Sequence, residues 1–515
     1  MLFNSYVFLG IFLPATLVLF VVARRRGYRS TLALVTIASF AFYGWWNVAY
    51  VPLLAGSIVG NWVLGSAIRG RSAPWRGRLV AFGIAANLVL LGTFKYATFL
   101  ADNLEALFGV RPPIGPIELP LAISFFTFLQ IAYLVDEYRG LVKGHGFVEY
   151  TLFVAFFPHL IAGPIVHHAE LIPQFARWAK RGADLRNLVV GTSIFAIGLF
   201  KKTVLADTLS LQVSPVFEAA AAGHSVGFVD SWAGALAYTF QIYFDFSGYS
   251  DMAIGLARMF GIRLPVNFAS PYKATSIIDF WRRWHMTLSR FLRNYLYYPL
   301  GGNRSGEGRR YVNLMIVMLL GGLWHGAGWT FVIWGGLHGL FLVVNRAWRS
   351  IVAAGGWTFT ASAAWTWLAR GLTFLAVVAA WVFFRSPDAE TAFKLLSAMA
   401  GRHGIVLPAS VIERLGSVGA ALEAVGLRAE SIATLEWPVL LLLPVAFAIA
   451  WFLPNTQEIM RRGRPALAMR FGPPQLPAGR LEWRASPAWA CALACLAVLA
   501  LLGVTRETEF LYFQF

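Results

Sequence analysis

Cysteine is nearly missing: two of 515 residues, Cys491 and Cys495. They stand four apart in the last apolar run, on one face of the helix expected there. No disulfide framework or zinc-site spacing follows from such a pair. Core packing is their expected role; neither a cysteine nucleophile nor a metal site is expected. Charge is also scarce, at 13% of residues against 58% hydrophobic. A soluble chain of this length could not hide so much apolar surface, because a large share of any globule stays wet. Acidic residues are scarcer than basic ones, 25 against 43, for a net charge of +18. In a soluble protein that excess would raise nucleic acid as a partner. Here it marks the cytoplasmic loops of a membrane protein, and no nucleic acid is expected. No tandem repeat and no soluble domain is visible. The first apolar run, 6–23, has no basic stretch before it, and Arg24, Arg25 and Arg26 follow it. That polarity excludes a cleaved signal peptide and predicts a retained helix with the N-terminus outside. The terminal Glu509-Phe510-Leu511-Tyr512-Phe513-Gln514 resembles an engineered protease site, but Phe510 departs from it, and the tail is expected to be native.

What fills the chain is apolar runs near 20 residues, each long enough to cross a hydrocarbon core of about 30 Å as a helix. The 20 Trp and 17 Tyr often sit at the run ends, as interfacial belts do. Runs at 6–23, 31–50, 51–68, 79–100 and 119–135 alternate between basic loops (Arg24 to Arg26; Arg69 to Arg78; Arg139 and Lys143) and less basic ones. The run 150–166 is broken by Pro158 and Gly163-Pro164, yet the arginines after it also read as cytoplasmic. A re-entrant segment reconciles these, and such breaks survive only where protein or a cavity covers the freed backbone. Further spans are expected at 189–205, 232–259, 311–329, 330–344, 372–384, 438–453 and 487–504. The total is roughly eleven spans plus re-entrant pieces, with the C-terminus outside: an all-α polytopic membrane protein forming one integral domain over 1–515.

Three elements carry candidate chemistry. His325 lies in Gly321-Gly322-Leu323-Trp324-His325-Gly326 and His285 in Phe280-Trp281-Arg282-Arg283-Trp284-His285. Ionisable groups at membrane depth usually face an interior site. A histidine there can act as general base on a hydroxyl, and the flanking glycines admit a ligand or another backbone. His338 has a similar setting. The bland alternative is a histidine bonded to a carbonyl between helices. The second element is the basic stretch 258–310, where Arg282, Arg283, Arg290, Arg293, Arg304, Arg309 and Arg310 have only Asp279 and Glu307 as acidic relief. Arginine forks suit phosphates. The stretch reads either as a cytoplasmic pocket for a phosphorylated donor or as a loop on anionic membrane lipid. The third element, Gln241 to Asp251, holds Asp245 and Asp251 inside a span. Six apart, they fall on different helix faces, and the preferred reading is that they neutralise arginines of a central site. Lys95, Gln130, Asp136, Glu137, His159, Lys201 and Lys202 lie mostly near span ends, where snorkelling or pairing accounts for them.

Taken together, Tyr243-Phe244-Asp245-Phe246-Ser247-Gly248-Tyr249-Ser250-Asp251-Met252-Ala253, Asp279-Phe280-Trp281-Arg282-Arg283-Trp284-His285, Leu300-Gly301-Gly302-Asn303-Arg304, Leu323-Trp324-His325-Gly326 and Phe157-Pro158-His159-Leu160-Ile161-Ala162-Gly163-Pro164 resemble the motifs of the MBOAT family, the membrane-bound O-acyltransferases. Within it the chain is most similar to the inner-membrane subunits of bacterial alginate O-acetylation. The likeness covers 1–346 as a catalytic core and weakens over 347–515. It implies an MBOAT-like bundle around a central tunnel in the bacterial inner membrane, both termini periplasmic. It implies that His325 is catalytic with His285 as the second polar position, and that acetyl-coenzyme A is the donor. Arg282, Arg283, Trp281, Trp284, Arg290, Arg293, Asn303 and Arg304 are the candidate donor-binding residues. Asp245, Ser247, Tyr249, Asp251, Trp324 and His159 are structural or tunnel-lining candidates. No cofactor is bound permanently. The acetyl group would pass to a periplasmic polysaccharide acetyltransferase of SGNH-like type. His285 or a nearby Arg would stabilise the oxyanion. Rival readings are an acyltransferase with another acceptor (cell-wall polymer, cellulose, lipid, or D-alanyl transfer from a carrier protein), a proton-coupled transporter, and a structural scaffold.

Overall fold

Arginines and glycines set the ends of the first helices. The computed structural model describes residues 1–115, 117–142, 144–179, 184–404, 406–424, 428–430, 437–467 and 481–504. Helix α1 (Leu13–Arg26) closes on three arginines before Gly27, whose φ of 113° suits a residue without Cβ, and the chain reverses into α2 (Tyr28–Gly44). Next come α3 (Val51–Arg69), α4 (Ala73–Lys95), α5 (Ala97–Phe108) and α6 (Ile123–Tyr138). The stretch expected to be re-entrant is α7 (Phe147–Ala155), α8 (Phe157–Leu160) and a turn before α9 (His168–Phe175); residues 150–166 are buried throughout, so protein covers the freed backbone groups.

Helix α10 (Leu185–Phe200) continues through a π-helical turn, Lys201–Ala206, into α11 (Asp207–Ala221). The long α12 (Phe228–Met259) is buried along almost all of its 32 residues. The basic stretch folds as α13 (Ile277–Trp281), α14 (Met286–Leu292) and a π-helical turn at Arg293–Tyr297. Helices α15 (Gly306–His325) and α16 (Trp329–Gly355) form a hairpin, followed by α17 (Ala363–Arg385) and α18 (Ala389–Met399). Among the described residues the only regular structure other than helix is a three-residue parallel ladder of β1 (Val406–Pro408) with β2 (Arg428–Glu430) and one isolated bridge, Pro265 to Leu467. Helices α19 (Ala409–Leu415), α20 (Ser417–Ala424), α21 (Trp437–Phe452), α22 (Thr456–Ile459) and α23 (Pro487–Gly503) complete the chain.

Among the described residues, six helices are long and apolar enough to cross a membrane: Phe8–Arg26, Val48–Arg69, Pro74–Lys95, Leu185–Ala221, Trp329–Gly355 and Ala363–Arg385. The other expected crossings fall on α2, α6, α12, α15, α21 and α23, which are shorter or carry more polar groups. Contacts between loops sort them into two faces. On one, Arg24 reaches the carbonyl of Trp178, Arg76 that of Tyr138, Arg139 that of Asn294 and Arg186 that of Arg462. On the other, Trp329 donates to Asn103, and Tyr50 to the carbonyl of Glu118. The arginine-bearing loops therefore meet one another, as the alternation of basic loops predicted. Tyr6 near the start of the chain donates to the Leu501 carbonyl near the end of α23, 3.0 Å away.

Two glycine contacts hold the centre. In α10 and α12, a Cβ on Gly198 would sit 2.6 Å from the Gly248 carbonyl oxygen, and one on Gly255 2.6 Å from that of Gly191. The two pairs, each seven residues apart, bring the helices together antiparallel at backbone distance, as small residues do in membrane interfaces. In the α15–α16 hairpin, a Cβ on Gly322 would lie 3.1 Å from the Gly335 Cα and closer still to the Phe331 carbonyl oxygen. Residue 346 lies inside α16, and Trp334 before it stacks on Trp381 beyond it, centroids 5.6 Å apart.

The two cysteines depart from expectation. Both are exposed on α23, not packed in the core. That helix is apolar on every side, so its outward face is compatible with lipid, where a small apolar thiol costs little.

Candidate active site

Where the sequence has two histidines 40 positions apart, the fold brings their rings together among the same aromatic walls, the histidine chamber. His325 is the last residue of α15, and its ring centroid lies 6.3 Å from that of His285. Trp324 at 4.9 Å, Trp334 at 5.1 Å and Phe384 at 5.2 Å wall the His325 ring, so its surroundings are largely apolar. The last turn of α15 has carbonyls with no partner within the helix. They are met by the end of α4 and the residue after it: Lys95 Nζ donates to the Trp324 carbonyl at 2.5 Å and the His325 carbonyl at 3.0 Å, and the Tyr96 hydroxyl to the Leu323 carbonyl at 2.8 Å. A cation at a helix C-terminus is also favoured by the helix dipole. Lys95, read from sequence as a snorkelling residue, thus fixes the turn that carries His325.

His285 is fully buried and sits between α13 and α14 with φ 41° and ψ 52°, left-handed values that cost a residue with a Cβ. Its Nδ1 is 3.2 Å from Asn267 Oδ1, while its Nε2 has no protein partner. The Phe246 ring packs edge-on at 4.7 Å. The two histidines approach from opposite faces. Beyond His285, α14 and the following turn lead to Asn294, whose carbonyl Arg139 contacts on the arginine-bearing face. Beyond His325 the chain turns at once to Trp329, which contacts Asn103 on the other.

The third histidine, His338, is buried in an aromatic box of Trp334, Trp281 and Phe280, 4.8, 5.2 and 6.0 Å away. His159 bonds to the Phe153 carbonyl at 3.1 Å, the structural arrangement for a buried histidine.

Asp245 and Asp251 of α12 are paired, but with lysines and not with arginines. Lys202 lies 2.7 Å from both Asp245 and Asp207, and Lys201 lies 2.9 Å from Asp251, which also accepts from Thr456 and Gln457. The glycine crossing brings Lys201 and Lys202 against α12, a meeting that spacing along α12 alone cannot show. A small cavity behind Asn267 is lined by Lys201, Ser247, Ser250 and Asp251. Tyr249 instead stacks on Phe3 at 4.7 Å.

The candidate donor-binding residues do not share one surface. Trp281 turns toward His338, and Trp284 is buried 5.0 Å from both Phe268 and Trp381. Arg283 grips Asp279 through Nε at 3.0 Å, and Arg290 forks onto Glu170 at 2.5 and 2.9 Å. The basic stretch therefore has acidic relief from outside itself, which sequence proximity hid. Arg293 is half-buried. Arg282, Asn303 and Arg304 are exposed, and Asn303 accepts the Tyr297 hydroxyl.

Sequence reasoning passed over Asn267 and a cluster at the end of α6. There Asp136 Oδ2 accepts from His167 Nε2 at 2.6 Å, His168 Nε2 at 3.2 Å and the Tyr295 hydroxyl at 2.7 Å. The three residues Asp136, His167 and His168 are close enough to hold a cation. However, His167 Nδ1 accepts the Ala169 N–H at 3.3 Å, so its proton is on Nε2 and that nitrogen has no lone pair for a metal. The adjacent pair His167-His168 was the available signal.

Comparison with known proteins agrees with this architecture. The model of the MBOAT, membrane-bound O-acyltransferase family, matches residues 78–383, which include both histidines of the chamber. The chain is 44% identical to the peptidoglycan O-acetyltransferase of Helicobacter pylori, over 79% of this chain and 81% of that protein. It is 43% identical to the probable alginate O-acetylase of Pseudomonas aeruginosa, over 78% of this chain and 75% of that protein. A teichoic acid D-alanyltransferase of Bacillus subtilis is 25% identical, over 66% of this chain and 86% of that protein. The chain belongs to the MBOAT family and is a multi-pass membrane acyltransferase.

Proposed function

We propose that the protein takes acetyl from acetyl-coenzyme A at the arginine-bearing, cytoplasmic face of the bacterial inner membrane and passes it across for O-acetylation of an exported polysaccharide. The observation that carries this reading is the meeting of the two histidines, where the ring of His285, held from one face, comes within 6.3 Å of that of His325, which leads out to the other. An acetyl thioester is already activated, so the site has to supply orientation and a base. His325 takes the proton of the incoming hydroxyl, whose oxygen attacks the acetyl carbonyl carbon. The carbon–sulfur bond breaks, and the proton goes on to the departing thiolate. Arg282 and Arg304, which are exposed, and Arg293, which is half-buried, are the residues we assign to the phosphates of the donor. Trp281 and Trp284 hold the site from behind and Trp324 walls it.

Relatives named for alginate and for peptidoglycan acetylation support a polysaccharide acceptor outside the cell, of alginate-like type. We further infer that a periplasmic, SGNH-like transferase completes the transfer. The hydrogen bond from Tyr6 to Leu501 supports both termini lying on one face, which we take as periplasmic. The test is acetyl-coenzyme A consumption by purified protein with candidate periplasmic partners. Wild type should consume the donor and His325→Ala should not, with thermal stability preserved. Equal consumption by both would sink the assignment. Acetylated polymer made by the purified chain alone would remove the need for a partner.

A further inference from the structure

The hydrogen bonds around His285 determine which of its ring nitrogens carries the proton. Asn267, 1% exposed, stands behind the ring. Its Oδ1 lies 3.3 Å from the Thr287 backbone nitrogen, and a backbone N–H can only donate, so the atom there is the amide oxygen and not the amide nitrogen. The Thr287 hydroxyl adds a second constraint. It accepts the Ile165 N–H at 3.0 Å, which leaves its own hydrogen to go to Asn267 Oδ1 at 2.9 Å. The Asn267 Nδ2 group is turned to Ser250 Oγ at 3.3 Å, and the Asn267 backbone carbonyl accepts the Met286 N–H at 2.9 Å. Asn267 is thus held by four hydrogen bonds to three residues, Thr287, Ser250 and Met286. Its oxygen faces His285 Nδ1 at 3.2 Å, and an amide oxygen is an acceptor only. The proton of the neutral ring is on Nδ1. The lone pair is on Nε2, which is buried and has no protein partner.

We propose that Asn267 is a positioning residue that holds His285 with its proton on Nδ1, so that Nε2 offers a lone pair, and not a proton, to the group bound beside His325. This rests on the reading of the two-histidine chamber as the site of acyl transfer, and it reverses the oxyanion role that the motif suggested for His285. Ring centroids 6.3 Å apart keep the ring nitrogens about 4 Å apart at the closest, beyond a direct hydrogen bond. Because His325 takes the single hydrogen of the attacking hydroxyl, His285 Nε2 accepts from another donor of the group bound there and orients that group. Any donor to the oxyanion comes from elsewhere in the chamber. The left-handed backbone at His285 serves the same end, since Met286 and Thr287 both bond back to Asn267 and fix the ring's direction.

The experiment reads the tautomer directly. Protein labelled with nitrogen-15 histidine is studied in lipid without any donor, with a His285→Gln sample to identify the His285 signal. The expected result is protonated Nδ1 and bare Nε2. In parallel, Asn267→Asp keeps an acceptor and Asn267→Leu removes it at similar volume. A positioned base is worth about 10²–10⁴-fold and a histidine in the wrong tautomer of a Ser-His-Asp triad loses about 10⁴, so kcat should fall about 10²–10³-fold in Asn267→Leu and stay within about threefold in Asn267→Asp, with the donor KM unchanged in both. A His285 signal with Nε2 protonated, or an Asn267→Leu protein with wild-type kcat, overturns the proposal. The tautomer is read with no acetyl-coenzyme A present. A protein that ignores that donor yet shows bare Nε2 therefore sinks the proposed function and leaves the tautomer standing.

Discussion

Gly322→Ala is the sharpest test of how the α15–α16 hairpin serves the chamber. Position 322 is three residues before His325, on the face of α15 that meets α16 at backbone distance. A Cβ there would lie 3.1 Å from both the Gly335 Cα and the Phe331 carbonyl carbon, and nearer still to the Phe331 oxygen. Both neighbours are backbone, so no side chain can swing away. Restoring ordinary contact at about 3.5 Å requires α15 to part from α16 by about 1 Å. Overpacking of this kind costs about 1–3 kcal/mol, and a 1 Å displacement of a reacting group costs about 10²-fold in rate. Two controls share the substitution and the helix pair. A Cβ on Gly321 meets Leu292 Cδ1 at 3.4 Å, and one on Gly336 meets Leu319 Cδ2 at 3.5 Å, ordinary contacts with the ends of flexible side chains. Alanine gains up to about 1 kcal/mol of helix propensity over glycine, so both controls should be neutral or stabilised. The assay is donor turnover together with thermal unfolding in one detergent. Gly322→Ala with wild-type turnover and unchanged melting, or Gly321→Ala equally damaged, would refute the reasoning.

Two further outcomes follow from the ion pairs and caps. Lys202→Met leaves Asp245 and Asp207 buried without the cation they share; breaking a buried pair costs about 3–5 kcal/mol, so thermal unfolding should shift down strongly and recover in part with Asp245→Asn added. Lys95→Met removes the donor to two carbonyls of the α15 terminus; charged hydrogen bonds are worth about 1.5–3 kcal/mol, so kcat should fall while the donor KM holds, and Lys95→Arg should recover part of the loss.

Much of the fold was legible because membrane helices announce themselves by length and their loops by arginine. The break at 150–166 was also legible, since the backbone groups freed at Pro158 and Gly163-Pro164 need protein or a cavity to cover them. His325 stood out through its glycines, although Gly322 turns out to serve a helix crossing. What could not be read is anything that depends on elements distant in sequence. Asp245 and Asp251 were expected to meet arginines, because arginines are the nearest cations along the chain. Instead, glycines at 191, 198, 248 and 255 bring α10 close enough for Lys201 and Lys202 to reach them first. The basic stretch looked unpaired because Glu170, the partner of Arg290, lies 120 positions upstream. Asn267 gave no signal at all: an asparagine in a polar segment is ordinary until its oxygen is seen to face a histidine.

The burial of α12 also bears on how the protein is made. It carries Asp230, Asp245 and Asp251 and is not among the six helices apolar enough to cross by composition. On an insertion scale a carboxylate near the helix centre costs about 2.5–3.5 kcal/mol, so Asp245 and Asp251 together cost about 5–7 kcal/mol for a helix released alone into lipid. Their counter-ions, Lys201 and Lys202, sit on the segment synthesised just before it. The 37-residue run Leu185–Ala221 can therefore enter first and wait. In this order α12 leaves the translocon as the second arm of a hairpin, its Asp245 and Asp251 matched as it enters, and the central rod of the enzyme never has to be a stable transmembrane helix by itself.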